Sequence, residues 1–87
     1  MALPELIIAL YSNSVFERDV KSVQFIIAGK RSRVFEFSTD YTDLYSFCCD
    51  VPDEVSRYAV DFKTETAYIC IDEPQDTEFY RHIMADS

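Results

Sequence analysis

The chain has 87 residues, enough for one compact domain over residues 1–87, and its 48% hydrophobic and 15% aromatic content excludes a disordered polypeptide. Sixteen acidic residues against eight basic ones give a formal net charge of −8, which disfavours direct binding to nucleic acid or to an anionic membrane surface. A single glycine excludes a glycine-rich phosphate-binding loop.

The N-terminal segment, residues 3–16, is compatible with a helix or a strand. Pro4 suits the first turn of a helix, and Glu5 suits its positive end. Apolar residues up to Tyr11 would cover most of the helix surface, which is typical of a buried helix, of a helix shared with a second subunit, or of a central strand. We expect a helix, and a homodimer paired through residues 3–16 is one alternative for the whole protein.

Residues 21–38 predict a β-hairpin. The runs SVQFIIA and RVFEFS are rich in β-branched and aromatic residues. The connecting AGKRS contains Gly29, as expected for a loop of about three to five residues. In the second run Phe35 and Phe37 would share one face of the strand.

The only basic cluster lies at this predicted turn and consists of Lys30, Arg31 and Arg33. Three cations could contact a phosphate backbone, with the neighbouring phenylalanines stacking on bases. The acidic remainder of the chain opposes the approach of a polyanion. We therefore interpret the cluster as a solvated turn, or as a surface that meets the acidic half of a second copy.

The stretch DYTDLYSFCCD predicts a helix over residues 40–49, and Val51-Pro52 ends it because proline restricts the residue before it. A helical wheel groups aromatic, aliphatic and sulfur-bearing side chains on one arc: Tyr41, Leu44, Tyr45, Cys48 and Cys49. The opposite arc holds Asp40, Asp43 and Asp50, with Phe47 among them. An aromatic ring on the charged face predicts a contact with a partner.

A second hairpin is predicted in YAVDFKTETAYICI, residues 58–71. KTET supplies the turn, and Tyr58, Val60 and Phe62 would share one face of the first strand. Ile69 would lie on one face of the second strand together with the isoleucine two residues later.

PQDTEFYRHIM, residues 74–84, predicts a closing helix, since Pro74 suits its start and Asp76 its first turn. The expected element order is therefore α-β-β-α-β-β-α. This order indicates a small α+β domain, in which an antiparallel sheet of about four strands, built from the two hairpins, packs against two or three helices.

Three cysteines are an odd number, which argues against the even disulfide set of a small secreted domain. Cys48 and Cys49 are adjacent, so on a helix their sulfur atoms point about 100° apart and do not chelate one zinc ion as a CxxC pair does. No nucleophile elbow or other catalytic motif accompanies them. We expect no enzymatic activity, no cofactor and no metal, and a cytoplasmic location, in the host cell if the gene belongs to a phage.

Acidic residues are concentrated in the second part of the chain, where residues 34–87 hold thirteen acids and three bases. Carboxylates three or four residues apart on a helix lie about 5–6 Å from one another, and duplex DNA carries about one charge per 1.7 Å of axis. A surface lined in this way can imitate a phosphate track, although a solvated helix face is the simpler interpretation. The expected partner-binding residues are Asp40, Asp43, Phe47, Asp50, Asp53, Glu54, Asp72, Glu73, Asp76 and Glu78.

Size, acidity and the lack of catalytic motifs predict a small acidic inhibitory binding protein. The class that fits is encoded by a phage or mobile element and blocks a nucleic-acid-handling host defence protein, as anti-CRISPR and anti-restriction proteins do. Its partner would be a basic protein, such as a nuclease or a nucleic-acid-binding complex, whose phosphate-binding cations pair with the carboxylates. Two alternatives stay open: an immunity or antitoxin protein that neutralises a basic toxin, and a homodimeric structural or regulatory subunit.

Overall fold

A computed structural model describes residues 2–12 and 20–84, apart from the side chains of residues 12 and 82. The elements in chain order are α1 (Leu3–Ser12), β1 (Ser22–Ile27), β2 (Lys30–Glu36), α2 (Phe37–Asp50), β3 (Arg57–Asp61), β4 (Thr66–Ile71) and a closing 3-10 helix (Thr77–Ile83). The expected α+β class and the order of helices and strands are confirmed. Helix α1 begins where it was predicted, and residues 13–16 of that prediction lie outside the described residues.

The four strands form one sheet in the order β2-β1-β4-β3. Each hairpin pairs antiparallel as expected, but β1 and β4 pair in parallel, with Ser22 beside Thr66 and Ile27 beside Ile71. The sheet is therefore mixed rather than antiparallel. The two central strands are also the most apolar ones, because strands with neighbours on both sides and a covered face become near-continuous apolar runs.

The β1–β2 turn is shorter than expected. Only Ala28 and Gly29 form the loop, and both have positive φ angles, 52° and 81°, as a two-residue type I′ turn requires. Residues 30–32, expected in the loop, belong to β2 instead. The pairing then shifts at a β-bulge, where the buried Ser32 hydroxyl accepts a hydrogen bond from the Phe25 N–H at 3.0 Å.

Helix α2 begins at Phe37, three residues before the predicted start. The Asp40 carboxylate accepts a hydrogen bond from the Glu36 N–H at 3.0 Å, at the positive end of the helix dipole. This contact favours a helix over further strand, so Phe37 leaves the strand face that it was expected to share with Phe35. Both rings are nevertheless buried in the core.

The hydrophobic core lies between the sheet and the helices. Side chains of strand β1 alternate between two faces, since Val23, Phe25 and Ile27 are buried while Gln24 and Ile26 are only partly covered on the other face. The buried helical side chains that complete the core are Leu3, Leu6, Ile7 and Leu10 of α1 and Phe37, Leu44, Phe47 and Cys48 of α2. The apolar face of α1 is thus used largely within the chain, with Ile8 and Tyr11 left exposed.

The second hairpin turns through residues 62–65. Phe62 lies in this turn and is 64% exposed, so it does not share the strand face predicted for it with Tyr58 and Val60. Glu65 adopts a positive φ of 57°, and its carbonyl accepts hydrogen bonds from the N–H groups of Lys21 and Ser22. These bonds fix the hairpin tip against the start of β1.

The segment after β4 forms a 3-10 helix over Thr77–Ile83, where an α-helix was expected from residue 74. The Asp76 carboxylate accepts a hydrogen bond from the Glu78 N–H at 3.0 Å, which satisfies one of the free donors at the start of this helix. Tyr80 and Ile83 are buried in the core. Within the described residues, the helices are too short or too polar to cross a membrane.

Candidate functional site

Two loops meet at the end of the sheet where β1 and β4 finish. The first connects α2 to β3, and the second connects β4 to the 3-10 helix. Asp53 of the first loop accepts a hydrogen bond from the Gln75 N–H of the second at 3.2 Å, and from the Tyr80 hydroxyl at 2.5 Å. The residues joined by the Tyr80 bond are 27 positions apart in the chain.

Ser56 joins the same two loops a second time. Its hydroxyl accepts a hydrogen bond from the Asp72 N–H at 3.0 Å, and its own N–H donates to the Cys70 carbonyl at 2.9 Å. The loops are therefore held side by side by backbone donors, and acidic side chains of both loops share one surface.

We call the exposed carboxylates of this surface the acidic edge, which consists of Asp50, Glu54, Glu73 and Asp76. Asp50 is the last residue of α2, Glu54 lies on the first loop, and the other two lie on the second. None of the four has an ion-pair partner among the residues that the structure describes. Exposed like charges on two loops that are hydrogen-bonded to each other create a negative field that attracts cationic groups.

The position of Asp50 is unfavourable for the helix that carries it. The C-terminal end of an α-helix bears partial negative charge, so cations stabilise it and anions destabilise it. The last turn of α2 contains no basic residue, and an acid stands at its end. A locally unfavourable residue of this kind is often retained for function rather than for stability.

Asp43 extends the acidic edge along α2. It is exposed and lies seven residues before Asp50, which places both carboxylates on one side of the helix about 10 Å apart along its axis. Asp43 and Asp50 thus share a solvent-facing side, as the helical wheel predicted.

Three of the expected partner-binding residues have roles inside the fold. Phe47 is only 7% exposed and packs its ring against Phe25, Phe79 and Tyr80, so the expectation of an exposed ring is wrong. Asp53 is buried and holds the two loops together, and Asp40 is half-buried and caps α2.

The physical reason for the Phe47 error lies in where the buried arc of α2 is centred. At 100° per residue, Phe47 lies 60° to one side of Leu44, while Cys49 lies 140° to the other. Leu44 is fully buried and Cys49 is exposed, so the buried arc is centred on Leu44 rather than between Leu44 and Cys49. The 3-10 helix supplies the aromatic rings that cover the Phe47 side.

Two further acids of the predicted set are partly neutralised. Asp72 faces Arg57 with 3.7 Å between carboxylate and guanidinium, and Glu78 faces Arg81 at 3.6 Å. All four side chains are more than half exposed, so each pair contributes little to stability. These acids border the acidic edge but present less net charge than its four members.

The cysteines lie in different surroundings. Burial raises the pKa of the Cys48 thiol to about 12, with a smaller contribution from Cys49. Cys70 is also buried, whereas Cys49 is exposed. A side-chain hydrogen bond between Cys49 and Tyr45 raises the pKa of the Tyr45 hydroxyl. A buried thiol with a raised pKa is a poor nucleophile.

The basic cluster lies on the edge strand β2, and its three side chains are exposed. Arg31 lies over the Tyr68 ring at 5.6 Å, and Arg33 lies over the Phe35 ring at 4.1 Å. A cleft of about 320 Å³ separates this end of β2 from the 3-10 helix and is lined by Lys30, Thr77, Glu78 and Arg81, among others. Among residues 2–12 and 20–84 no three His, Cys, Asp or Glu side chains converge as metal ligands.

Comparison with family models, with curated proteins and with solved structures finds no match. Sequence reasoning missed Tyr80, whose buried hydroxyl positions Asp53 and thereby both acidic loops. No local pattern marks this pair, because the contact depends on how the 3-10 helix folds back.

Proposed function

We propose that this protein is a small acidic binding protein whose acidic edge occupies a basic, phosphate-binding surface of another protein. One observation supports this proposal most strongly: two hydrogen-bonded loops and the helix end that leads into them carry four exposed carboxylates, and none of the four has an ion-pair partner among the described residues. Carboxylates pair with arginine and lysine by the same charge-assisted hydrogen bonds that phosphate oxygens accept.

The biological class that best suits this chemistry is an inhibitor of a nucleic-acid-handling host defence protein, encoded by a phage or mobile element and acting in the host cytoplasm. Anti-CRISPR and anti-restriction proteins are of this type. The partner would be a nuclease or a nucleic-acid-binding complex with a positively charged channel, and inhibition would follow from occupation of that channel. An immunity or antitoxin protein that neutralises a basic toxin would use the same surface.

The experiment is affinity capture with the immobilised protein from a nuclease-treated lysate of its natural host cells, so that nucleic acid cannot bridge the proteins. The edge variant E54Q/E73Q removes two carboxylates of the acidic edge, both exposed. The matched control E5Q/E36Q removes two exposed carboxylates elsewhere and has the same net charge. Both pairs of changes conserve side-chain size.

We expect the wild type and the control to retain a basic nucleic-acid-binding protein that elutes as salt is raised. The edge variant should bind it at least about tenfold more weakly, equivalent to about 1.4 kcal/mol. Equal binding by the edge variant would exclude the acidic edge as the interface. Capture of a basic toxin instead of a defence protein would favour the immunity alternative.

A further inference from the structure

The two outer strands of the sheet differ in how they are protected against pairing with another chain. Strand β2 contains a β-bulge and carries three exposed cations, Lys30, Arg31 and Arg33. Bulges and charged side chains are the usual features that prevent edge-to-edge association. Strand β2 is therefore a protected edge.

Strand β3, RYAVD, has no bulge, and its two charged residues stand only at its ends. Its register with β4 runs without a shift from the Arg57–Cys70 pair to the Asp61–Thr66 pair, and it contains neither lysine nor proline. In the part of the chain that the structure describes, β3 pairs with β4 alone. Ala59 and Tyr58 are exposed, Tyr58 to 44%. The outer backbone groups of such a strand form a template for a further strand.

The charges of β3 are arranged for pairing with itself. Arg57 opens the strand, Asp61 closes it, and Ala59 lies midway. In an antiparallel pair about a two-fold axis at Ala59, Arg57 faces Asp61 of the second copy, and the same contact occurs twice. Opposite charges that face each other across strands are stabilising.

The remaining pairs in this register are also compatible. Tyr58 faces Val60 of the second copy, an aromatic ring against a β-branched side chain, which is a favourable cross-strand pair. Ala59 faces itself, so only two methyl groups meet at the axis. An interface in which the same patch serves both copies is the usual form of a two-fold dimer.

The backbone geometry supports the same register. In an antiparallel ladder, alternate residues direct their N–H and C=O groups towards opposite neighbours. An axis through Ala59 pairs Arg57, Ala59 and Asp61 with one another, and Tyr58 with Val60. The residues whose backbone N–H and C=O groups point away from β4 are thus paired with residues of the second copy whose backbone groups also point away from their own β4. These groups can therefore hydrogen-bond with each other across the axis.

Arg57 and Asp61 already make contacts within the chain, and both side chains remain accessible to a second copy. Arg57 lies 3.7 Å from Asp72, but its side chain is 73% exposed. One carboxylate oxygen of Asp61 accepts the Lys63 N–H at 2.9 Å. The Arg57 guanidinium has five N–H donors and can contact two carboxylates at once.

We propose that β3 is the pairing edge of a two-fold homodimer with a second copy of this chain. The two four-stranded sheets join into one sheet of eight strands across the axis at Ala59. This interface uses none of the four carboxylates of the acidic edge, and the proposal does not depend on the proposed function.

The first test is the molar mass by sedimentation equilibrium and light scattering, from micromolar to millimolar protein. The variant A59K places two ammonium groups face to face in the dimer only, because Ala59 is exposed in the single chain. We expect its dimer dissociation constant to rise at least about tenfold. The control A9K makes the same change at an exposed position of α1 and should dimerise as the wild type does.

The second test fixes the register. R57D places like charges opposite Asp61 of the second copy and should weaken the dimer, whereas R57D/D61R restores opposite charges and should strengthen it again. Circular dichroism confirms that each variant is folded. A wild type that stays monomeric throughout overturns the proposal, and so does a dimer unaffected by A59K. A double variant that dimerises no better than R57D overturns this register.

Discussion

The Cys48 thiol lies on the sheet-facing side of α2 and is fully buried. Burial favours the neutral form, because a thiolate would lose its hydration. The pKa of this thiol is therefore raised from an ordinary value of 9.0 to about 12. The Tyr80 pKa is raised as well, first by burial and second by the hydrogen bond with Asp53.

These raised pKa values predict that the protein loses stability in alkali. Between pH 9.0 and about 12 the unfolded chain releases the Cys48 proton while the folded chain keeps it. The stabilising contribution of this thiol is thus fully present below pH 9.0. Above pH 9.0 the free energy of unfolding falls as pH rises, by at most about 1.4 kcal/mol per pH unit from this group. Tyr80 acts in the same direction, mainly at and above its ordinary pKa of 10.0.

Urea unfolding between pH 9.0 and 10.0 weights the Cys48 contribution most strongly, because the Tyr80 hydroxyl of the unfolded chain reaches its ordinary pKa of 10.0 only at the upper end of this interval. We expect the wild type to lose stability over this interval and C48A to lose less. C48A will be less stable at every pH, since it leaves a small cavity, so the slope and not the absolute value is compared. The same slope in both proteins would contradict the burial of the thiol.

At the scale of elements, the hydrogen bonds of Asp53 connect the loop after α2 to the loop before the 3-10 helix. D53A leaves the Gln75 N–H and the buried Tyr80 hydroxyl without their acceptor, which should cost about 2–3 kcal/mol of unfolding free energy. The control E54A changes the neighbouring exposed residue and should alter stability by less than about 0.5 kcal/mol.

A double-mutant cycle separates this bond from general damage. Y80F removes the hydroxyl and keeps the ring, so D53A and Y80F together should cost less than their sum, with a coupling of about 1 kcal/mol. Thermal or urea unfolding supplies the four values. Additive effects would mean that the two side chains do not interact in solution.

Local patterns predict the type and order of the elements in this chain, because the apolar run of α1, the β-branched and aromatic runs of the hairpins and the Val51-Pro52 stop of α2 each depend on residues close in sequence. The element boundaries are less well predicted, since α2 begins three residues earlier and the closing helix three residues later than expected. The parallel pairing of β1 with β4 has no such signal, because both strands are apolar enough for a central position in either direction. The direction of β4 relative to β1 depends on how the chain between them is connected and on how the helices pack against the sheet.

The candidate site was predicted only in part for the same reason. Exposure of Asp43 and Asp50 follows from the helical wheel, whereas Phe47 is buried by rings from a segment more than thirty residues later. Asp53 counts as one more acid in the sequence, and only the contact with Tyr80 shows that its carboxylate acts inside the fold. Long-range contacts thus decide which acids remain exposed and unpaired at the surface.

At the scale of the whole molecule, the acidic edge and the β3 edge use different residues, and they adjoin where Arg57 at the start of β3 pairs with Asp72. A dimer joined antiparallel through β3 would carry two acidic edges, related by the two-fold axis, and could bind two copies of a basic partner. The acidic edge includes Asp76, whose carboxylate caps the 3-10 helix, and Asp50, whose charge opposes the dipole of α2. Because the Asp50 charge is unfavourable for α2, replacing it should raise stability while it lowers binding, so the two effects can be measured separately.

The variant D50K is the most direct test of the binding role. Lysine at the end of α2 suits the helix dipole, so the free energy of unfolding should rise by about 0.3–1 kcal/mol. The same change should weaken binding of the captured basic partner at least about tenfold, measured by calorimetric titration. A stabilised variant with lost affinity is the predicted result, and a stabilised variant that binds as tightly as the wild type would contradict the account.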